Sequence, residues 1–405
     1  MKNKIMAFIV LAVFLSGCTG PAIQLADDSG ATQEDVNAVV SANNQFAFEL
    51  YSRYKENANN VFFSPYSIST ALAMTYEGAK EKTAEEMQSV FHFPSDDTRK
   101  RGNARIYNEL NKKGKDYTLS TANALWSQNR YKFLGSYLNT TQKYYGGNAT
   151  NLDFEANPDG SRQIINTWVE SQTNNKIKDL IPQGAITPLT RLVLTNAIYF
   201  KGNWFTQFDK KKTQDAPFIV NPSTTVTAQM MSISKVKFNY TETQDLQIIE
   251  LPYKGNELSM LVILPKEGNL TQVENDLSPE KIIELKGKLH ETKIPVYLPK
   301  FKFETKYLMA DDLAKMGMPT AFSPGEADFS GMTGNKDLFI STVIHQAFVE
   351  VNEEGTEAAA ATAVVMMMAA MPQEFRADHP FIFIIQQKAT GNIIFMGRVS
   401  DPTKQ

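Results

Sequence analysis

The sequence predicts an α+β protein built as one large domain. Helix signals gather in the first part of the chain and strand signals in the second. No β-α-β unit recurs, and after residue 41 no internal repeat or Pro/Gly/Ser-rich linker interrupts the pattern. Length alone, 405 residues, would suggest two or three domains. The unbroken pattern favours one.

The elements follow in order. Ser41-Ala-Asn-Asn44 offers a helix cap, with Phe46, Leu50 and Tyr54 after it at helical spacing. Ser64-Pro65-Tyr66-Ser67 starts a second helix carrying Ile68, Leu72 and Met74. Thr83-Ala-Glu-Glu86 reads as a capping box ahead of Met87 and Val90. Thr118–Trp126 alternates as a strand, and Leu192–Phe200 is an apolar strand with polar flanks. Phe238–Tyr240, Gln247–Leu251 and Leu258–Leu264 are further strands, the last two separated by Lys254-Gly255-Asn256. Ile294–Phe303 is broken by Pro295 and Pro299 and is expected at an edge or strongly twisted. Phe339–Val351 is apolar on alternate residues, and Phe381–Ile385 with Ile393–Val399 forms a hairpin across Gln386–Asn392.

Composition excludes several functions. With 42% apolar and 21% charged residues the chain is neither collagen-like nor disordered. Its 41 basic and 44 acidic side chains leave no footprint for nucleic acid. One cysteine excludes a disulfide framework or a multi-cysteine metal site. His92, His290, His345 and His379 show no metal-ligand spacing, so neither metal nor cofactor is expected. A hydrolase would need a nucleophile motif such as G-x-S-x-G, which is missing, so the chain is not expected to be an enzyme.

The first residues read as an address. Lys2 and Lys4 precede an apolar run, Ile5–Leu15, too short to span a bilayer and suited to an export signal. Leu15-Ser16-Gly17-Cys18 resembles the bacterial lipobox, whose cysteine is lipidated and becomes the mature N-terminus. The alternative is a plain secretory signal with an incidental cysteine. Residues 1–17 are thus expected to be a signal, 18–40 a lipidated and flexible tether, and 41–405 the folded domain. Loss of 1–17 removes two lysines and no acids, taking the formal charge from −3 to −5.

One segment decides the functional reading. Ala358 to Met371 is apolar except for Thr362. Its alanines and methionines favour a buried helix. Yet it follows Gly355, ends at Pro372, and at period two places Thr356, Ala358, Ala360, Thr362, Val364, Met366 and Met368 on one face. Helix, loop and late-inserted strand all remain open on these residues alone.

Six blocks then resemble the serpins, across Ser41 to Pro402. They are Asn60–Ile68 with Ala71–Met74, Thr195–Trp204, Asp328–Met332, Val351–Ala359, Phe375–Phe381 and Phe395–Val399. The resemblance implies one domain with three β-sheets, about nine helices and an exposed reactive loop at about 355–377. It implies an inhibitor of serine proteases that acts as a suicide substrate. The protease's serine acylates the loop, and the cut loop enters the main sheet. The partner is that protease, held as a covalent acyl complex by a monomeric, exported, surface-anchored inhibitor. The alternative is a non-inhibitory serpin that binds or chaperones something. By resemblance the hinge is Glu353, Gly355, Thr356, Ala358, Ala359, Ala360 and Ala361. The shutter beneath the sheet is Ser64, Ser67, Asn196 and His345. The breach, where insertion begins, holds Trp204, Lys300 and Glu353. The resemblance implies a scissile bond fourteen residues beyond Gly355, between Ala369 and Ala370, with Met368 or Met367 as the competing site. A small residue there suits elastase-like or subtilisin-like pockets. No lysine or arginine occurs from Gly355 to Gln373, which disfavours trypsin-like targets.

Overall fold

The structure is a computed structural model that describes residues 25–112, 114–266, 270–356 and 373–404. Among the described residues there are ten α-helices: α1 (Gln33–Tyr54), α2 (Pro65–Tyr76), α3 (Glu81–Phe91), α4 (Asp96–Asn111), α5 (Gly135–Tyr145), α6 (Pro158–Gln172), α7 (Leu270–Asp276), α8 (Pro279–Gly287), α9 (Ala310–Met316) and α10 (Ser330–Thr333). The strands are β1 (Val61–Phe63), β2 (Tyr117–Gln128), β3 (Asn148–Leu152), β4 (Leu192–Asn203), β5 (Gln214–Asn221), β6 (Thr224–Ile233), β7 (Lys237–Glu242), β8 (Leu246–Pro252), β9 (Leu258–Pro265), β10 (His290–Lys293), β11 (Val296–Pro299), β12 (Phe301–Leu308), β13 (Ile340–Asn352), β14 (Gly355–Thr356), β15 (Phe375–Arg376), β16 (Phe381–Gln387) and β17 (Ile393–Val399).

They form three sheets. A seven-stranded sheet runs β1-β17-β16-β9-β8-β7-β10, a four-stranded one β15-β11-β6-β5, and a six-stranded one β12-β13-β14-β4-β2-β3. The seven-stranded sheet is covered on one face by α1, α2 and α3 through Phe46, Leu50, Leu72 and Met87. Its other face packs Phe383, Phe395 and Val262 against Phe200 and Phe303 of the six-stranded sheet. The far face of that sheet lies under α6, with Ala122, Ala197 and Ile344 against Ile165 and Val169. Strand β4 is therefore sandwiched on both faces, which explains its nearly continuous apolar run.

Local sequence accounts for some boundaries and not others. Ser64 caps α2 as expected, accepting the Ser67 N–H. Helix α1 instead begins at Gln33, where Thr32 and Asp35 form a reciprocal capping box; Ser41 lies inside the helix. The folded part thus starts well before residue 41, and only part of the expected tether, up to Gln24, lies outside the described residues. Thr83 does not cap α3, which begins at Glu81. Its hydroxyl accepts the Asp328 N–H instead. The run broken by Pro295 and Pro299 splits in two. Val296–Pro299 lies inside the four-stranded sheet between β15 and β6, and Phe301–Leu308 is an edge of the six-stranded sheet. No described helix is long and apolar enough to cross a membrane.

Candidate functional site

The centre of the six-stranded sheet is only partly closed. β13 and β4 pair in parallel from Ile340↔Leu192 to Phe348↔Tyr199. Above Phe348 they part, and β14 sits between them. Thr356 pairs with Val351 on one side and Gly202 on the other, and Gly355 with Asn352 and Asn203. β14 is antiparallel to both neighbours.

Gly355 is required for this turn-in. Its φ is +152°, and a Cβ there would lie 2.1 Å from the Gly202 carbonyl oxygen. Thr356 follows, 1% exposed, its hydroxyl 3.0 Å from the Tyr253 hydroxyl. A small side chain with one polar group is thus buried with that group satisfied. The next residues, including Ala358 to Ala361 and the bonds proposed for cleavage at Met367, Met368, Ala369 and Ala370, lie outside the described residues, as does Cys18.

The breach residues converge at the same end. Trp204 stacks on Tyr253 with ring centroids 4.7 Å apart, and its indole N–H donates to the Asn352 carbonyl. The Trp204 backbone N–H donates to the Glu354 carbonyl at 2.7 Å. Lys300 lies 3.2 Å from the buried Glu353 carboxylate, which also accepts the Thr213 hydroxyl at 2.8 Å. Burial opposes ionisation of Glu353, but its own backbone amide, Thr213 and Lys300 outweigh it, so its pKa lies below the ordinary carboxylate value. Lys210 binds Glu354 at 2.8 Å. Glu353 and Glu354 are thus each held by a lysine.

Lower in the sheet the four shutter residues meet. The His345 Nε2 accepts the Ser64 backbone N–H at 3.1 Å, and its Nδ1 bonds the Asn196 side-chain carbonyl. Those two bonds fix the tautomer with the proton on Nδ1. The Asn196 amide donates to the Ser67 hydroxyl and to Asn123 Oδ1, both at 2.6 Å. Ser64 Oγ donates to the Ile394 carbonyl. Burial pushes the His345 pKa down to about 3, so the ring is neutral. The polar cluster is closed, and it ties β13 to β4 at the pair His345↔Asn196.

Sequence reasoning named Trp204, Lys300, Glu353, Ser64, Ser67, Asn196 and His345, and the structure brings them into these two clusters. It missed Asn123, Tyr253, Thr213 and Lys210. Asn123 sits mid-strand among alternating residues, where an inward asparagine was the available signal. The other three act only through distant partners.

Comparison with known proteins follows the same geometry. The family model described as serpin (serine protease inhibitor) matches residues 41–402. A serpin-like protein of Methanosarcina acetivorans is 45% identical over 99% of both chains. Leukocyte elastase inhibitor A of Rattus norvegicus is 43% identical over 89% of this chain and 99% of its own. The crystal structure of uncleaved ovalbumin superposes with a TM-score of 0.82 at 33% identity, over 90% of this chain and all of that one.

Proposed function

The chain belongs to the serpin family, and from that premise we propose that it inhibits serine proteases by inserting its cleaved loop into the six-stranded sheet. The observation that carries the reading is β14. Gly355 and Thr356 already occupy the top of the gap between β13 and β4. Insertion needs only to extend that strand as the parallel β13–β4 ladder opens. Serpin loop insertion is an established instance of strand addition with release of stored strain. The protease serine attacks the Ala369 carbonyl and forms an acyl ester, and Ala370 leaves as a new amino terminus. The growing strand then draws the acylated end from the hinge towards the Leu192 end of β4. Twelve residues from Thr356 to Met367 give roughly 40 Å of strand, enough to cross the sheet.

Ala369 suits a shallow pocket, and a relative named leukocyte elastase inhibitor A supports an elastase-like target. The reading also includes export and lipidation of Cys18, supported by the lipobox-like Leu15-Ser16-Gly17-Cys18. Mixing the mature protein with elastase, subtilisin, chymotrypsin and trypsin tests the inhibitory reading. A denaturant-stable complex is expected with the first two. Clean cleavage by all, with no complex, would instead support a binding or chaperone serpin. Cys18→Ala should release the chain from membranes; a variant that still fractionates with them refutes the anchor.

A further inference from the structure

The chain enters its fold at a defined place. Ala26 makes two bonds to the Asn108 side chain of α4: its N–H donates at 2.8 Å and its carbonyl accepts at 2.9 Å. The Asp27 N–H donates to the Lys143 carbonyl at the end of α5, and the two side chains pair at 3.1 Å. Leu25 is left 52% exposed beside Asn139 and Gln142 of α5. On the same helix and just ahead of it, Leu138 and Leu134 are 37% and 39% exposed, one turn apart.

We propose that this face, Leu25 with Leu134 and Leu138, lies against the lipid bilayer; the inference rests on the anchor at Cys18. The occupant is fixed by chain length. From Cys18 to Leu25 is seven residue steps, at most ~25 Å fully extended. Leu138 and Leu134 lie within two helical turns of Asn139, at ~5.4 Å per turn, so the whole patch is inside that reach. Lys143 beside Leu25 is held by Asp27 at 3.1 Å, whereas the exposed Lys132 stands two residues ahead of Leu134. A lysine so placed reaches headgroup phosphates while apolar side chains meet the acyl boundary.

β2 begins at Tyr117, level with Gly202 and the hinge, and ends at Gln128 near Leu192. β2 itself spans roughly 36 Å at ~3.3 Å per residue, and Leu134 comes six residues after its far end, at the start of α5. The bilayer then meets the protein on the side of α5, whose first residues follow the end of β2 away from β14.

The test uses the full lipidated chain, purified from membranes and reconstituted in phosphatidylcholine vesicles. With Cys18 alkylated by lipid, an introduced cysteine is the only thiol. Leu138→Cys and, separately, Leu308→Cys carry an environment-sensitive fluorophore, and the vesicles carry a headgroup-level quencher. Leu308 is 60% exposed on β12, the opposite edge of the sheet from β3. The label at 138 should be quenched several-fold more than that at 308. Adding Asn108→Ala, which frees Ala26 from α4, should reduce the difference. Equal quenching at both positions on vesicle-bound protein overturns the proposal while leaving the anchor standing. A chain that fails to float with vesicles fails the anchor, and the proposal with it.

Discussion

Thr362 should become the partner of the shutter once the loop is inserted. The registers fix its place. Thr356 pairs with Gly202 and Val351, and both ladders are antiparallel. Six residues further along, residue 362 comes level with Asn196 on one side and His345 on the other. Those two now bond each other across adjacent strands. A strand between them sets their backbones ~9–10 Å apart, twice the ~4.8 Å strand spacing, and breaks that bond. The Thr362 side chain has the parity of the buried Thr356, so its hydroxyl arrives between the separated groups. Thr362→Val would leave the His345 N–H and the Asn196 carbonyl buried without a partner. Each such group costs about 1–3 kcal/mol. The loop-cleaved form of the variant should therefore lose ~1–3 kcal/mol or more, read as a lower guanidinium midpoint at unchanged slope. The uncut form, where His345 and Asn196 already satisfy each other, should change by less than ~0.5 kcal/mol. No loss in the cleaved form, or an equal loss in both, would refute the register argument.

Two further outcomes are expected. Thr356→Arg places a guanidinium where the side chain is 1% exposed in the uncut protein; an unpaired buried ion costs several kcal/mol, so β14 should be expelled and insertion must then bury the charge, each ~1.4 kcal/mol being tenfold in rate. Insertion should then slow by ~100-fold or more, leaving a substrate that is cut without a stable complex on a denaturing gel; an undiminished complex would contradict the role of β14. His345, its pKa lowered to about 3 by burial, takes up a proton only in the unfolded chain between its ordinary value near 6.5 and that limit. Its contribution is complete above about pH 6.5 and is lost as pH falls, at up to ~1.4 kcal/mol per unit. Denaturant unfolding between about pH 6.5 and 5.0 should show that slope, above the range of most carboxylates, and His345→Gln should remove it.

Much of the fold was legible because local signals agreed with tertiary demand. Ser64-Pro65 caps α2, and the strands from Leu192, Leu258 and Phe381 carry runs that two-sided burial requires. Failures came where distant contacts decide. Asp27, Asp28, Ser29 and Gly30 look like tether, yet the chain there is held by Asn108 and Lys143. Helix α4 is highly polar and packs through Gly102, where a Cβ would meet the Asp35 carbonyl oxygen at 2.6 Å. Thr83 resembled a cap because sequence does not reveal that its oxygen serves Asp328. The site was legible only through blocks that resemble a family. No spacing rule brings Ser64, Asn196 and His345 together, and Asn123, Tyr253 and Lys210 needed the fold to be seen.

The central claim is that the cut loop completes the six-stranded sheet. The most direct measurement is thermal unfolding of the mature protein before and after a single cut within residues 357–372. Insertion replaces the β13–β4 ladder with two antiparallel ones and buries Val364 and Met366 on the inward face, each worth about 1.5–3 kcal/mol if fully buried. The midpoint should rise well above that of the intact protein. An equal or lower midpoint after cleavage would contradict loop insertion and the inhibitory mechanism with it.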